Sequence, residues 1–182
     1  GEPMFSFAAI ESMYDRTITV NGVAKAFAMT GWRIGYIGAP EWIAKACNKL
    51  QGQITSGPNS IAQRATIAAL DAPVSKIQFM VDEFRNRRDI VLGLLSEIDG
   101  MKCNTPGGAF YVFPDVSFYF GKTIDGTLIN NASDFALFLL EKAHVATVTG
   151  EAFGNDACIR ISYAASEDNI KEAVARIAKA LG

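Results

Sequence analysis

Histidine is almost missing from this chain, with His144 the only one in 182 residues. A Ser-His-Asp relay or a histidine-based metal centre therefore has little to be built from. Cysteine is scarce as well: Cys47, Cys103 and Cys158 are odd in number, far apart and without a Cys-x-x-Cys pair. This usage argues against a disulfide scaffold and against a zinc site, and it points to a reducing cytoplasm. No charge-free apolar stretch is long enough for a bilayer, so no membrane span is expected. The opening Gly1-Glu2-Pro3-Met4-Phe5 lacks the basic-then-apolar order of a secretion signal. Basic charge is not in excess either, and a formal net charge of −2 gives no reason to expect a nucleic-acid partner. Repeats and low-complexity tracts are absent. The chain is 49% hydrophobic and 20% charged, a composition that reads as globular and suits small-molecule substrates.

The chain changes character near Asp71-Ala72-Pro73, which suggests two parts, 1–73 and 74–182. Ahead of that point, strand-like runs at 17–20 and 33–38 precede helical patterns at 40–52 and 58–70, which is α/β material. Beyond it, Val74, Ile77, Val81, Phe84, Val91, Leu95 and Ile98 recur at spacings of three and four. One long helix is implied, with Arg88 interrupting its stripe. A heptad coiled coil is the alternative, but the stripe is short, and a helix packed across two domains fits better. After Gly100 come strands at 109–113, 145–148 and 158–162, a helix at 133–143 and a last helix from Ser166. Together these read as an antiparallel α+β part. The last helix puts Ile170, Val174, Ile177, Ala178 and Leu181 on one face, with Glu167 and Asp168 in the first turn, where the dipole favours acids. Ser133-Asp134 reads as an N-cap, which leaves His144 near a helix C-terminus in a structural role.

The most informative segment is Asn21-Gly22-Val23-Ala24-Lys25-Ala26-Phe27-Ala28-Met29-Thr30-Gly31-Trp32-Arg33-Ile34-Gly35-Tyr36. It sets a lysine just past a strand, among small residues, with an arginine eight positions on. An amine that attacks an aldehyde needs water-poor surroundings, where its charge is easily lost. A phosphate close by needs a fixed cation, and the planar fork of arginine can hold two of its oxygens without ever deprotonating. The plain alternative is a solvated lysine. Downstream, Arg160 alternates with Ile159 and Ile161, so its side chain leaves the strand on the face opposite the isoleucines. A half-buried arginine asks for an anion, although an edge-strand arginine in water is the other reading.

The Lys25 segment resembles the cofactor-lysine motif of class I/II aminotransferases, approximately Ser-Lys-x-x-x-Met-Thr-Gly-Trp-Arg-x-Gly-Tyr. It is most similar to that of bacterial aspartate aminotransferases. Lys25, Met29, Thr30, Gly31, Trp32, Arg33, Gly35 and Tyr36 carry the match, and Ala24 departs from it where many relatives have serine. Arg160-Ile161-Ser162-Tyr163-Ala164 resembles the family's Arg-x-Ser-x-Ala pattern. Pro106-Gly107-Gly108-Ala109-Phe110-Tyr111 resembles a segment that enters the small domain, where its aromatics read as core. Thr149-Gly150 replaces a frequent Pro-Gly ahead of the Phe-Gly pair, here Phe153-Gly154, in a loop near the substrate.

This resemblance implies the α/β fold of type I pyridoxal-phosphate enzymes, with the end of the large cofactor domain followed by an α+β small domain. It implies pyridoxal 5'-phosphate as cofactor, held covalently by Lys25 and through its phosphate by Arg33. Arg160 would bind the α-carboxylate of the substrate, and no metal takes part. Amino-acid and 2-oxo-acid substrates, aspartate first among them, and a homodimer when intact are further implications. The match aligns with only the C-terminal part of the family, whose remaining ring contacts come from upstream. The chain is therefore expected to be a fragment, inactive alone. An effector domain of a pyridoxal-phosphate-sensing transcription regulator is the alternative, since it keeps the lysine but needs no turnover.

Overall fold

A computed structural model describes residues 4–182. The reading of the first five residues as lacking a signal pattern thus falls partly on Gly1, Glu2 and Pro3, outside the described residues. The chain divides into two compact units, one ending at Phe79 and the other running Met80–Gly182.

The first unit is organised by a two-stranded antiparallel ribbon, β1 (Thr19–Gly22) and β2 (Gly35–Gly38). Its register pairs Thr19 with Gly38 and closes at Gly22 opposite Gly35. The backbones meet closely there: a Cβ on Gly22 would lie 3.2 Å from the Ile34 carbonyl oxygen. Two helices follow. Helix α1 (Glu41–Ile54) starts after Pro40, with Glu41 in its first turn and a 2.6 Å ion pair from Glu41 to Lys45. Helix α2 (Ser60–Asp71) is capped by Asn59, whose Oδ1 accepts from the Ile61 and Ala62 N–H groups at 2.9 and 3.1 Å.

Helix α3 (Gln78–Ser96) begins two residues ahead of the boundary and, from Met80, opens the second unit. Strand β3 (Tyr111–Val112), the hairpin of β4 (Lys122–Ile124) and β5 (Thr127–Ile129), and helix α4 (Ala132–Phe138) come next. Strands β6 (Val148–Thr149) and β7 (Ile159–Ser162) and helix α5 (Glu167–Leu181) complete it. The main sheet has the order β3-β7-β6, antiparallel throughout. One core serves the whole unit. It takes Val91 and Leu95 from α3, Phe135 and Phe138 from α4, Ile159 from β7, and Ile170, Val174 and Ile177 from α5.

Several local expectations move. The strand expected at 17–20 lies two residues later, because Tyr14–Arg16 form a 3-10 turn that ends at Thr17. Arg33 does not head β2, since a left-handed backbone at that residue delays the strand to Gly35. The long helix starts at Gln78 rather than Val74: Val74–Lys76 form a separate 3-10 turn behind Pro73, and Val74 is exposed. The cap of α4 is Asn131, whose side chain accepts from the Asp134 N–H, rather than Ser133-Asp134. The α-helix itself ends at Phe138, and Leu139–Ala143 widen into a π-turn that His144 closes at φ 54°. Ala178 is exposed while the rest of its expected stripe faces the core. The β4–β5 hairpin was not foreseen, although Asp125-Gly126 at its turn is a strong hairpin signal.

Gly150 is fixed by space rather than by backbone freedom. A Cβ there would collide with the carbonyl oxygens of Asn155 and Cys158. Gly150→Ala should therefore lower stability by about 1–3 kcal/mol, the range for overpacking a closed site, as a shift of the urea midpoint. A second expectation concerns alkaline pH. Burial, as the largest cause, pushes up the pKa of Cys103, Cys158, Tyr119 and Tyr163. The unfolded chain releases these protons first, starting at the ordinary thiol value of 9.0, so the folded state then binds more protons than the unfolded one. Stability should be fully present below that value and fall as pH rises past it, first through the thiols and then the phenols. Urea midpoints measured across this window check the slope.

Candidate functional site

The segment between β1 and β2, residues 23–34, leaves the ribbon at Gly22 and returns at Gly35, so its two ends are held together by the strand register. Two buried side chains, Val23 and Met29, anchor it. Backbone bonds from the Phe27 N–H to the Val23 carbonyl, 3.3 Å, and from the Ala28 N–H to the Lys25 carbonyl, 3.2 Å, curl its first half into turns. Lys25 sits in that curl and is exposed. Water-poor surroundings, expected for this amine from the sequence, are not supplied by the described residues of the chain.

The second half is strained. Ala28 at φ 52° and Arg33 at φ 58° both adopt the left-handed conformation, one on either side of the 3-10 turn Thr30–Trp32. Neither is glycine, and each such residue costs about 1–2 kcal/mol. Strain of this kind persists where the surroundings over-determine it, and it is common at binding sites. Its effect here is to turn the Arg33 side chain beside the Thr30 carbonyl, to which one guanidinium N–H donates at 3.0 Å. The other donors of the fork have no partner among the described residues.

Arg33 lines an open hollow of about 540 Å³ together with Ala28, Gly31, Trp32, Pro58, Asn59 and Ala62. The volume lies within the range of roughly 300–1,000 Å³ of small-molecule sites. Its lining holds one cation and no carboxylate, so the electrostatics favour an anion. Lys25 shares the segment with Arg33 but is not among the lining residues. A phosphate-bearing aldehyde fits what is present in two respects: a fixed guanidinium with donors to spare, and a primary amine eight residues away on the same segment. The described lining has no acid to pair with a ring nitrogen.

In the second unit, Arg160 occupies the middle of β7, between Ile159, fully buried, and Ile161, packed at the edge of the core. It is half-buried. Its guanidinium carbon lies 4.3 Å from the centre of the Tyr111 ring and 4.2 Å from that of Phe153. Among the described residues it has no carboxylate partner and no hydrogen-bond partner. What the structure adds at this place is a pair of aromatic rings against the charge. Tyr111 is thus a contact of Arg160, whereas Phe110 packs on the core, as read from sequence. Sequence reasoning missed Phe153 in this setting because its approach to Arg160 depends on the turn that follows β6. His144 lies exposed at its helix end, and no cluster of metal-binding side chains exists among the described residues.

Residues 2–177 match the family model for aminotransferase class I and II. The chain belongs to that family. It is 53% identical over 180 residues to the bifunctional aspartate aminotransferase and glutamate/aspartate-prephenate aminotransferase of Petunia hybrida, a match covering 97% of this chain and 38% of that protein. An aspartate aminotransferase of Rhizobium meliloti (strain 1021) is 50% identical over 167 residues, which is 91% of this chain and 41% of the relative. The crystal structure of the aspartate aminotransferase from Rhizobium meliloti superposes with a TM-score of 0.88 at 49% identity, covering 92% of this chain and 42% of that one. A mutant Thermus thermophilus aspartate aminotransferase gives 0.87 at 38% identity, covering 100% and 47%. The α/β class read from the sequence is the one these structures share. The chain spans about two fifths of the length of the curated relatives it matches.

Proposed function

We propose that the intact protein transfers an amino group between an amino acid, aspartate foremost, and a 2-oxo acid, with pyridoxal 5'-phosphate as cofactor. The observation that carries this reading is the 23–34 segment, which presents the family's lysine and arginine on one strained, anchored turn. Identities near one half to enzymes called aspartate aminotransferases support the choice of substrate. In this reading residues 1–73 are the end of the cofactor domain and 74–182 the linking helix with the small domain. A homodimer in the cytoplasm belongs to the same proposal. It agrees with Trp42, Leu50 and Ile54 of α1, which stand exposed as an apolar surface of the kind that marks protein contacts. No helix among the described residues is long and apolar enough to cross a membrane.

Lys25 Nζ would hold the cofactor covalently, and the free donors of Arg33 would pair with its phosphate. Pyridoxal phosphate held there would supply an electron sink for the substrate amino acid, whose amine takes the place of Lys25 on the aldehyde carbon and leaves the lysine amine free. The remaining work falls to the chain. Arg33, fixed against Thr30, offers a charge that no working pH removes. Lys25 Nζ, once neutral, accepts the proton that leaves the substrate Cα and returns it elsewhere, the duty of a positioned general base. Arg160 binds the substrate carboxylate and thereby limits how the amino acid can turn.

Incubation of the protein with pyridoxal phosphate, borohydride reduction and peptide mapping test the assignment. The pyridoxyl group should be found on Lys25, and Arg33→Gln should weaken its capture by about 1.5–3 kcal/mol, the value of a charge-assisted bond. Label on Lys45 or Lys49, or capture unchanged in Arg33→Gln, would contradict it.

A further inference from the structure

We propose that Tyr111 and Phe153 are positioning residues which hold the two faces of the Arg160 guanidinium, so that only its N–H edge is open to a planar carboxylate. The inference rests on the reading of Arg160 as a carboxylate-binding residue and adds the device that orients it. Three observations carry it. The rings approach from different neighbours of β7: Tyr111 belongs to β3 on one side, and Phe153 ends the turn that follows β6 on the other. Tyr111 pairs with Ser162 across the β3–β7 ladder, which makes it a diagonal neighbour of Arg160 on the same face of the sheet. Val148 of β6 pairs directly with Arg160, and the chain then turns so that Phe153 comes back over it.

The turn that carries Phe153 is built to hold its place. The Gly150 N–H donates to the Cys158 carbonyl at 2.7 Å, and the Asn155 N–H donates to the Gly150 carbonyl at 3.1 Å. The same contacts leave no room for a side chain at residue 150. Phe113 adds an edge-on contact to the Phe153 ring, with centroids 6.3 Å apart and planes at 87°. Phe153 is nonetheless 46% exposed and does not belong to the core. Rings on its faces stabilise the cation without consuming its donors, which leave the guanidinium along its edge and in its plane. A carboxylate can meet two of those donors at once, the arrangement in which arginine is most selective. Preorganisation of this kind strengthens binding because the fork need not be ordered when the ligand arrives.

The test follows the Arg160 Nε–Hε signal by NMR while succinate is added to the chain. In the unaltered protein, ring currents should displace the signal, succinate should move it, and Arg160→Gln should remove it. Phe153→Leu and Tyr111→Leu should each relax the displacement and weaken succinate binding roughly two- to thirtyfold, the range that follows from one lost cation–π contact. Phe153→Tyr should keep affinity within a factor of about two, since its ring still supplies the face. Core methyl signals from Ile159 and Ile177 report whether each variant remains folded, and Phe153, half exposed, can be replaced without opening the core. An unchanged succinate affinity in both leucine variants, with Arg160 still responding, would overturn the clamp and leave the carboxylate role standing. An Arg160 signal that succinate does not move in the unaltered chain would contradict both.

Discussion

The closure of the β1–β2 ribbon at Gly22 and Gly35 is the constraint on which the Lys25–Arg33 segment depends. With the strand ends paired and little room for a side chain on Gly22 beside the Ile34 carbonyl, the intervening residues must complete a loop within a fixed span. They do so by placing two non-glycine residues, Ala28 and Arg33, in left-handed conformations. The buried side chains of Val23 and Met29 offset that strain, since filling such positions is worth about 1.5–3 kcal/mol each. Lys25 and Arg33 are consequently displayed by backbone geometry, with Arg33 held further by its bond to the Thr30 carbonyl. This explains how the amine and the guanidinium can remain exposed and yet be placed.

A different device serves the second unit. Strand β7 lies between β3 and β6 and divides its residues by alternation: Ile159 enters the core, while Arg160 leaves on the other face. A charge at the centre of a sheet would ordinarily be matched by an acid. Tyr111 and Phe153 take that place, and a ring, unlike a carboxylate, does not compete with an incoming anion for the guanidinium donors. Gly150 is essential to the arrangement because the backbone of residues 155 and 158 fills the space its side chain would need. Both halves of the chain thus rely on glycine at points of close backbone approach.

Elements with strong period and clear punctuation were legible in the sequence. Helices α1, α2 and α5 stand close to where apolar spacing and the flanking Pro40, Pro58 and Ser166 put them. The strands were legible in kind but not in extent, because β3, β6 and β7 are short and their ends are set by cross-strand partners distant in sequence. The break ahead of α3 was hidden since Val74 and Ile77 continue the apolar spacing of the helix, while Pro73 shifts the backbone into a 3-10 turn. At the site, the motif pointed to Lys25 and Arg33 and the alternation to Arg160. The aromatic surroundings of Arg160 were not legible, because nothing in local sequence tells which rings a turn will bring together. The exposure of Lys25 was likewise unforeseen: sequence chemistry states what an amine needs, not which residues provide it.

The proposed transfer requires Lys25 to do chemistry on an amino acid rather than merely retain a cofactor. The most direct measurement uses the intact protein with pyridoxal phosphate, 15N-labelled aspartate and 2-oxoglutarate, and follows the label by NMR. Amino transfer requires that 15N appear in glutamate, and that Lys25→Ala abolish the transfer while succinate still moves the Arg160 signal. A protein that captures pyridoxal phosphate on Lys25 but leaves the label on aspartate would contradict amino transfer, and would instead be a domain that senses the cofactor without turnover.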